Sequence, residues 1–391
     1  MKFVKESRTL IKQNIRDYGM YIALFLIMLT FTITTDGLFI SSRNISNLIN
    51  QTGYIAVLAV GMTLVIVIRH IDLSVGFVAG FLGAIAAIML TKMGLSVIIT
   101  IPVILLLGIL IGLVNGFLVA KLEIPSFVAS LAGMLVFRGA LLLVTEGTGT
   151  IIINDEFFNA IGNGFIPDIA DVGNIHLLTL ILGTLAIALY VWSQIRTRAN
   201  KKKYNFEVTS LGMFILKISF VSVLIACITW ILAGYNGLSW TVVVVLIVVA
   251  LYHFISTKTV LGRHIYAVGG NPEAAKLSGI NVKKITFIVF GSMSMLAALS
   301  GILYTSRLQS ATTTAGTLFE LDAIAAAYVG GVSAAGGVGK VTGSIIGALV
   351  MASLTSGMNL MGVGISYQYI IRGAVLAAAV IFDVATRKRR K

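Results

Sequence analysis

The 391-residue chain has one cysteine, four histidines, four prolines and fifteen acidic residues. A lone cysteine excludes any disulfide within the chain, and four scattered histidines give no metal-ligand cluster, so neither a metal nor a cofactor is expected. Cys227 lies in an apolar run and reads as a small packing residue. Charged residues make up 11% of the chain and hydrophobic residues 58%, at a mean hydropathy of +0.99. That leaves no charged exterior for a soluble domain. Soluble enzyme, disordered chain and secreted disulfide scaffold are thereby excluded. The formal charge of +14 would suggest nucleic acid in a soluble protein. Here the basic residues fall in short runs between apolar stretches, so no nucleic-acid partner is expected.

What the chain does have is apolar length. A span needs about 20 residues, and hydropathy places crossings near 18–35, 48–68, 73–91, 95–120, 124–144, 176–194, 211–233, 239–257, 285–306, 320–336, 341–361 and 367–384. The expected fold is an all-α integral membrane protein: one polytopic helical bundle over 1–391 with about twelve membrane segments, some broken or re-entrant. Residues 1–17 form a basic leader without a cleavage site after the first apolar run. With that leader inside, 23 of the 29 lysines and arginines fall on the cytoplasmic side, in the leader, 196–203, 258–284, the tail and three short connections. Both termini are then cytoplasmic. The external loop 145–175 carries Glu146, Asp155, Glu156, Asp168 and Asp171 and no basic residue. Its acidity suits a docking partner or only reflects the bias against translocated positive charge.

The loop 258–284 is the most informative segment. Asn271 is a good N-cap, Pro272 suits the first helical position, Glu273 complements the helix dipole, Ala274 and Ala275 continue the turn, and Gly279 can supply a left-handed stop. A helix this short is marginal alone in water and needs something to pack against. Glu273-Ala274-Ala275, three residues, then Gly279 resembles the EAA-type coupling motif by which permeases of ABC importers seat a helix in their ATPase. The flanks LGRHIYAVGGN and LSGINVKK, with IDLSVG at 71–76, IPSFVASLAGMLVFRG at 124–139 and ELDAIAAAYVGGVSAAGGVGKVTGSIIGA at 320–348, are similar to the ribose and xylose permease family over nearly the whole chain. TTDGLFISSRNISNLI and the extra hydrophobic pair 176–233 are closest to its xylose-type members. One departure is Arg69-His70 ahead of Ile71-Asp72.

The resemblance implies a bacterial cytoplasmic-membrane permease for a monosaccharide, a homodimer working with a cytoplasmic ATPase subunit and an extracytoplasmic sugar-binding protein. ATP hydrolysis belongs to that partner: AAGGVGKV, ending at Val341, lacks the first glycine and the hydroxyl residue of a phosphate-binding loop. A sugar in transit exchanges water for amides and hydroxyls. Asp72, Ser74, Asn50, Gln51, Asn359 and Gln368 are therefore the candidate substrate path, with ordinary helix-end roles as the other reading. Charges within or beside crossings, Arg138, Glu320, Asp322 and Arg372 among them, face the passage or form structural pairs. The ridge Gly108, Gly112, Gly116 and the pairs Gly76/Gly80 and Gly343/Gly347 mark close helix seams, inside the bundle or between subunits. An autonomous secondary carrier or channel is the alternative, and a membrane enzyme finds no nucleophile with an adjacent base.

Overall fold

A computed structural model of the chain describes residues 15–147, 149–169, 175–206, 208 and 210–388; most of the basic leader, Asp171 and the last three residues lie outside them. Helix α1 (Ile15–Thr34) leads through a 3-10 turn (Leu38–Ile40) into α2 (Ser42–Val67), α3 (Val75–Thr91), α4 (Val97–Ala120) and α5 (Ser126–Val144). A strand β1 (Thr150–Ile152) and a short helix α6 (Glu156–Asn163) precede the long pair α7 (Leu177–Lys203) and α8 (Leu211–Ala233). Then come α9 (Trp240–Lys258), α10 (Val260–Gly270), α11 (Pro272–Leu277), α12 (Val282–Leu308), β2 (Ser310–Thr312), α13 (Phe319–Val329), α14 (Val341–Leu360) and α15 (Ile365–Lys388).

Among the described residues nine helices are long and apolar enough to cross a membrane: α2, α4, α5, α7, α8, α9, α12, α14 and α15. Most of α1 and all of α3 are shorter apolar helices. Each expected crossing coincides with a helix, but the tenth stops early. At 11 residues α13 rises about 17 Å, little more than half the hydrocarbon thickness, before the chain turns at Gly330. It is the broken segment of the bundle.

Helices α2 and α12 form the centre. Helix α12 packs against α2, α3 and α4, and α13 and α14 close over the other side of α2. No hydrophobic driving force separates helix from lipid, so these contacts depend on small residues that let backbones meet. A Cβ at Gly108 would lie 2.7 Å from the Ser294 carbonyl oxygen, one at Gly112 would strike the Phe290 carbonyl, and one at Gly116 would approach Phe287 Cα at 3.2 Å. Gly76 and Gly80 abut 315–320, and Gly343 and Gly347 abut Gly330 and Ala326. All three glycine seams are thus internal to one chain.

Three features depart from the sequence reading. The basic run 196–203, expected as a loop, continues α7 to Lys203, because arginine, alanine and lysine are good helix formers and lysines at a C-terminus complement its dipole. The loop 258–284 holds a second helix, α10, capped by Thr259, whose hydroxyl accepts from Gly262 N–H at 3.1 Å. Cys227 is exposed on α8, not packed in a core. That whole pair, α7 and α8, packs mainly on itself at the periphery.

Chain direction is consistent throughout. Strands β1 and β2 pair antiparallel, Ile151 opposite Ala311, joining loops 160 residues apart at the same end of the bundle. At the other end Gly337 N–H donates to the Val67 carbonyl at 2.8 Å.

Candidate functional site

The segment α10–α11 is built as its sequence suggests. Asn271 Oδ1 accepts from Glu273 and Ala274 N–H, both at 3.1 Å, Pro272 opens α11, and Gly279 closes it at φ +82°, a conformation that an L side chain resists. Ala275 is buried beneath the helix, whereas Leu277 is 90% exposed. Leu277 is thus an apolar side chain held out on a capped short helix and left uncovered by the described residues. At the start of α12, Lys283 donates to Glu123 at 3.0 Å and holds that carboxyl below its usual range. Both groups are exposed, so the pair adds little to stability.

Three segments meet immediately behind α11. Arg69, at φ +67° in the turn after α2, donates from Nε to the Gly269 carbonyl at 2.6 Å and from Nη2 to the Gly270 carbonyl. These carbonyls end α10, where a cation complements the dipole. Gly336 and Gly337, both with positive φ, lie against Gly269 and Gly270, and Tyr266 Oη donates to the Gly339 carbonyl at 2.7 Å. Burial pushes the Tyr266 phenol above its ordinary range. Arg69 thus ties α2 to α10. Through 330–340 the same junction reaches the half-helix α13.

The six path candidates form separate groups. At the α2–α3 turn Asp72 is wholly buried; its Oδ1 accepts from Ser74 N–H at 2.9 Å and Ser74 Oγ at 2.6 Å, and Asn115 donates to Ser74 Oγ at 3.0 Å. Asp72 Oδ2 has no hydrogen-bond partner among the described residues. Toward the opposite end Asn50 is buried and accepts from the Ser239 hydroxyl, while neighbouring Gln51 is exposed. Gln368 donates to Asn359 at 2.7 Å and to the Val363 carbonyl at 2.9 Å.

One turn along α2 from Asn50 lies a cluster that the sequence did not single out. Tyr54, Tyr304 and Phe319 pack with ring centroids 4.8–5.0 Å apart. Arg307 and Arg372 stand within electrostatic reach of Tyr54, and Arg372 forms an ion pair with Asp322 on α13. Aromatic faces beside charged hydrogen-bonding groups make a surface on which a polyol can lay its C–H face and satisfy its hydroxyls. The available signal was three charges, Arg307, Asp322 and Arg372, in or beside apolar segments. Arg138, by contrast, stacks over the Phe77 ring at 5.6 Å, and Glu320 Oε2 is buried against Gly76 without a hydrogen-bond partner among the described residues.

In the acidic loop two carboxylates act as caps. Asp155 Oδ1 accepts from Phe158 N–H at 2.8 Å at the start of α6, and Asp168 accepts from Leu177 and Leu178 N–H at 2.7 and 2.8 Å at the start of α7. Partial desolvation works against the Asp168 anion, but those bonds and that from Ile169 outweigh it and hold its pKa below the ordinary carboxylate value.

Comparison with known proteins gives a consistent answer. Residues 44–380 match the family described as branched-chain amino acid transport system, permease component. The chain is 41% identical over 376 residues to the xylose transport system permease protein XylH of Escherichia coli K12, covering 96% of this chain and 93% of that one. Against the XylH of Haemophilus influenzae it is 41% identical over 377 residues, 96% and 98% of the two chains. The ribose import permease protein RbsC of Haemophilus influenzae is 36% identical over 348 residues, 88% and 86%. No solved structure matches.

Proposed function

The chain belongs to the family of branched-chain amino acid transport system permease components, and we propose that it is the membrane-spanning subunit of an ATP-driven importer for a monosaccharide of the xylose type. It is a transport permease of multi-pass helical build rather than an enzyme. Its membrane is the bacterial cytoplasmic membrane, with both termini and 258–284 on the cytoplasmic side and 145–175 outside. The basic-residue bias and the β1–β2 pairing, which keeps 149–169 and 309–318 at one end, support this orientation.

The observation that carries the proposal is α11. Asn271, Pro272, Glu273, Ala274, Ala275 and Gly279 build a rigid two-turn helix that presents Leu277 to a cytoplasmic ATPase subunit, while Ala275 seats it on the permease. A push on α11 reaches the membrane through the Arg69 junction, to α2 on one side and α13 on the other. The permease works as a homodimer that receives its cargo from an extracytoplasmic sugar-binding protein. The sugar route runs from Asn359, Gln368, Asn50 and Gln51 past the Tyr54–Tyr304–Phe319 cluster to Asp72 and Ser74.

Leu277→Asp, Glu273→Lys and Gly279→Trp should each abolish most sugar-stimulated ATPase activity in the reconstituted complex while the permease inserts and keeps its helix content. Full stimulation in all three would remove α11 from coupling. The buried oxygens of Asp72 and Glu320 favour one alternative, a proton-coupled carrier. Uptake by the permease alone into proteoliposomes under a proton gradient, without ATPase or ATP, would establish it in place of the importer.

A further inference from the structure

We infer that Arg307, Tyr54 and Tyr304 form a binding subsite for the sugar itself toward the proposed outer end of the bundle, with Arg307 selecting a cargo that bears two adjacent hydroxyls. The inference rests on the proposed sugar route and adds that the cargo is held there rather than merely passed along.

The first argument is unmet hydrogen bonding. The side chains of Tyr54, Tyr304 and Arg307 are all half-buried. Neither phenol oxygen and no guanidinium nitrogen of the three bonds to another described residue, and none of these atoms is sealed from its surroundings. The two tyrosine rings lie 5.0 Å apart and Arg307 is within electrostatic reach of Tyr54, so the free groups share one place. Arg372, the other arginine near Tyr54, is matched by Asp322, whereas Arg307 has no carboxylate partner among the described residues. Elsewhere on the route Asn50 is engaged by Ser239, and Gln368 by Asn359 and the Val363 carbonyl. The donors to spare are at Tyr54.

The second argument is placement. Arg307 lies in the last turn of α12, and α6 covers that end: Asn163 donates to the Ser306 and Arg307 carbonyls, and Gly162 packs against the Arg307 backbone. Tyr54 stands about 18 Å along α2 from its start at Ser42. An arginine that only snorkelled to the headgroups would turn away from that depth. Arg307 reaches inward instead. A guanidinium offers two parallel N–H donors in one plane, which fit adjacent hydroxyl oxygens of a pyranose much as they fit a carboxylate. The tyrosine rings, backed by the buried Phe319 at 42° and 73° to its plane, take the C–H face of the same sugar.

The test is saturation-transfer NMR on the full-length permease alone in an aliphatic detergent. The probes are D-xylose, methyl β-D-xylopyranoside and the 3-deoxy form of that glycoside, which has hydroxyls but no adjacent pair. Irradiated aromatic protons should pass saturation to the C–H protons of the first two sugars. Arg307→Met should bind the glycoside roughly ten- to a hundred-fold more weakly, as expected for losing hydrogen bonds to a charged group. The parent should prefer the glycoside to its 3-deoxy form by a similar factor, and Arg307→Met should lose that preference. A residue that only held the fold would weaken both sugars alike. Arg307→Lys, which keeps the charge without the paired donors, serves where Arg307→Met fails to insert, and should still bind while losing most of the preference. No saturation transfer to either diol sugar, equal binding by the parent and Arg307→Met, or a preference that survives in both variants would overturn the subsite. The importer reading is read out separately, as ATPase stimulation by the loaded binding protein. Stimulation without sugar binding to the isolated permease would remove the subsite and keep the importer, and binding without stimulation would do the reverse.

Discussion

Asp72 separates two roles that a buried carboxyl can play. Its Oδ1 organises Ser74 and, through it, Asn115, and an asparagine amide oxygen can accept the same two bonds. Asp72→Asn should therefore insert and melt close to the parent, whereas Asp72→Leu strands the Ser74 donors and costs about 1–3 kcal/mol. As the inner end of the proposed sugar route, the carboxyl should be needed beyond that scaffold. Uptake per assembled complex should fall in Asp72→Asn, as it should in Ser74→Ala, Asn50→Leu and Asn359→Leu; unchanged uptake in all four would take them off the route. Asp168 gives a different signature, a dependence on pH. Its pKa is held down in the folded state by the N–H groups at the start of α7. The stability it contributes is complete above the ordinary carboxylate value, near 4, and is lost as pH falls through the depressed folded value. The protection factors of amide hydrogen exchange over 177–183, taken relative to the intrinsic exchange rate at each pH, should therefore fall on acidification in the parent, while Asp168→Asn should show lower protection at neutral pH and lose that pH response.

At the scale of helices, the α4–α12 seam grades its glycines. Gly112 faces the Phe290 carbonyl most closely, Gly108 faces the Ser294 carbonyl at 2.7 Å, and Gly116 has 3.2 Å to Phe287 Cα. Alanine should accordingly lower the melting temperature in detergent in the order Gly112, Gly108, Gly116, with Gly112→Ala costing about 1–3 kcal/mol. Gly139 has nothing within 4 Å of an added Cβ, so Gly139→Ala should be neutral. A flat response across the four would mean that the seam is loose. The small-xxx-small spacing was legible in the sequence, but its location inside one chain was not, because spacing alone carries no information about which helix fills the groove. The same limit governs the elements. Long apolar helices announce themselves by hydropathy and α11 by its capping residues, whereas Gly262, Gly269 and Gly270 disguise α10 as a loop, although Gly262 and Gly269 are there because backbones press on them. Strands β1 and β2 are three residues each and find one another across 160 residues of sequence, beyond any local pattern. The Tyr54–Tyr304–Phe319 cluster escaped for a similar reason. Each aromatic residue looks like lipid-facing or core material until three helices bring them together.

For the whole molecule, the ties at the two ends of the bundle constrain orientation more tightly than any one loop. Gly337 bonded to Val67, with Arg69 on Gly269 and Gly270, puts the 68–74 turn, the α10–α11 segment and 330–340 on one side. The β1–β2 pair and Asn163, whose amide donates to the Ser306 and Arg307 carbonyls at 3.2 and 2.7 Å, put 145–169 and 306–318 on the other. A single experiment on one loop at each end therefore orients every helix. Phe157 is the better reporter on the acidic side, since it is exposed and Asn163 is engaged by α12; Asn200 is exposed on the basic end of α7. Cys227 lies exposed on α8 and must be removed first. In a Cys227→Ala background, Phe157→Cys should react with an impermeant maleimide in intact cells, and Asn200→Cys should react only after the membrane is opened. The opposite pattern would invert the bundle and place α11 on the face away from ATP, where Leu277 could not meet an ATPase and the importer reading would fail with it.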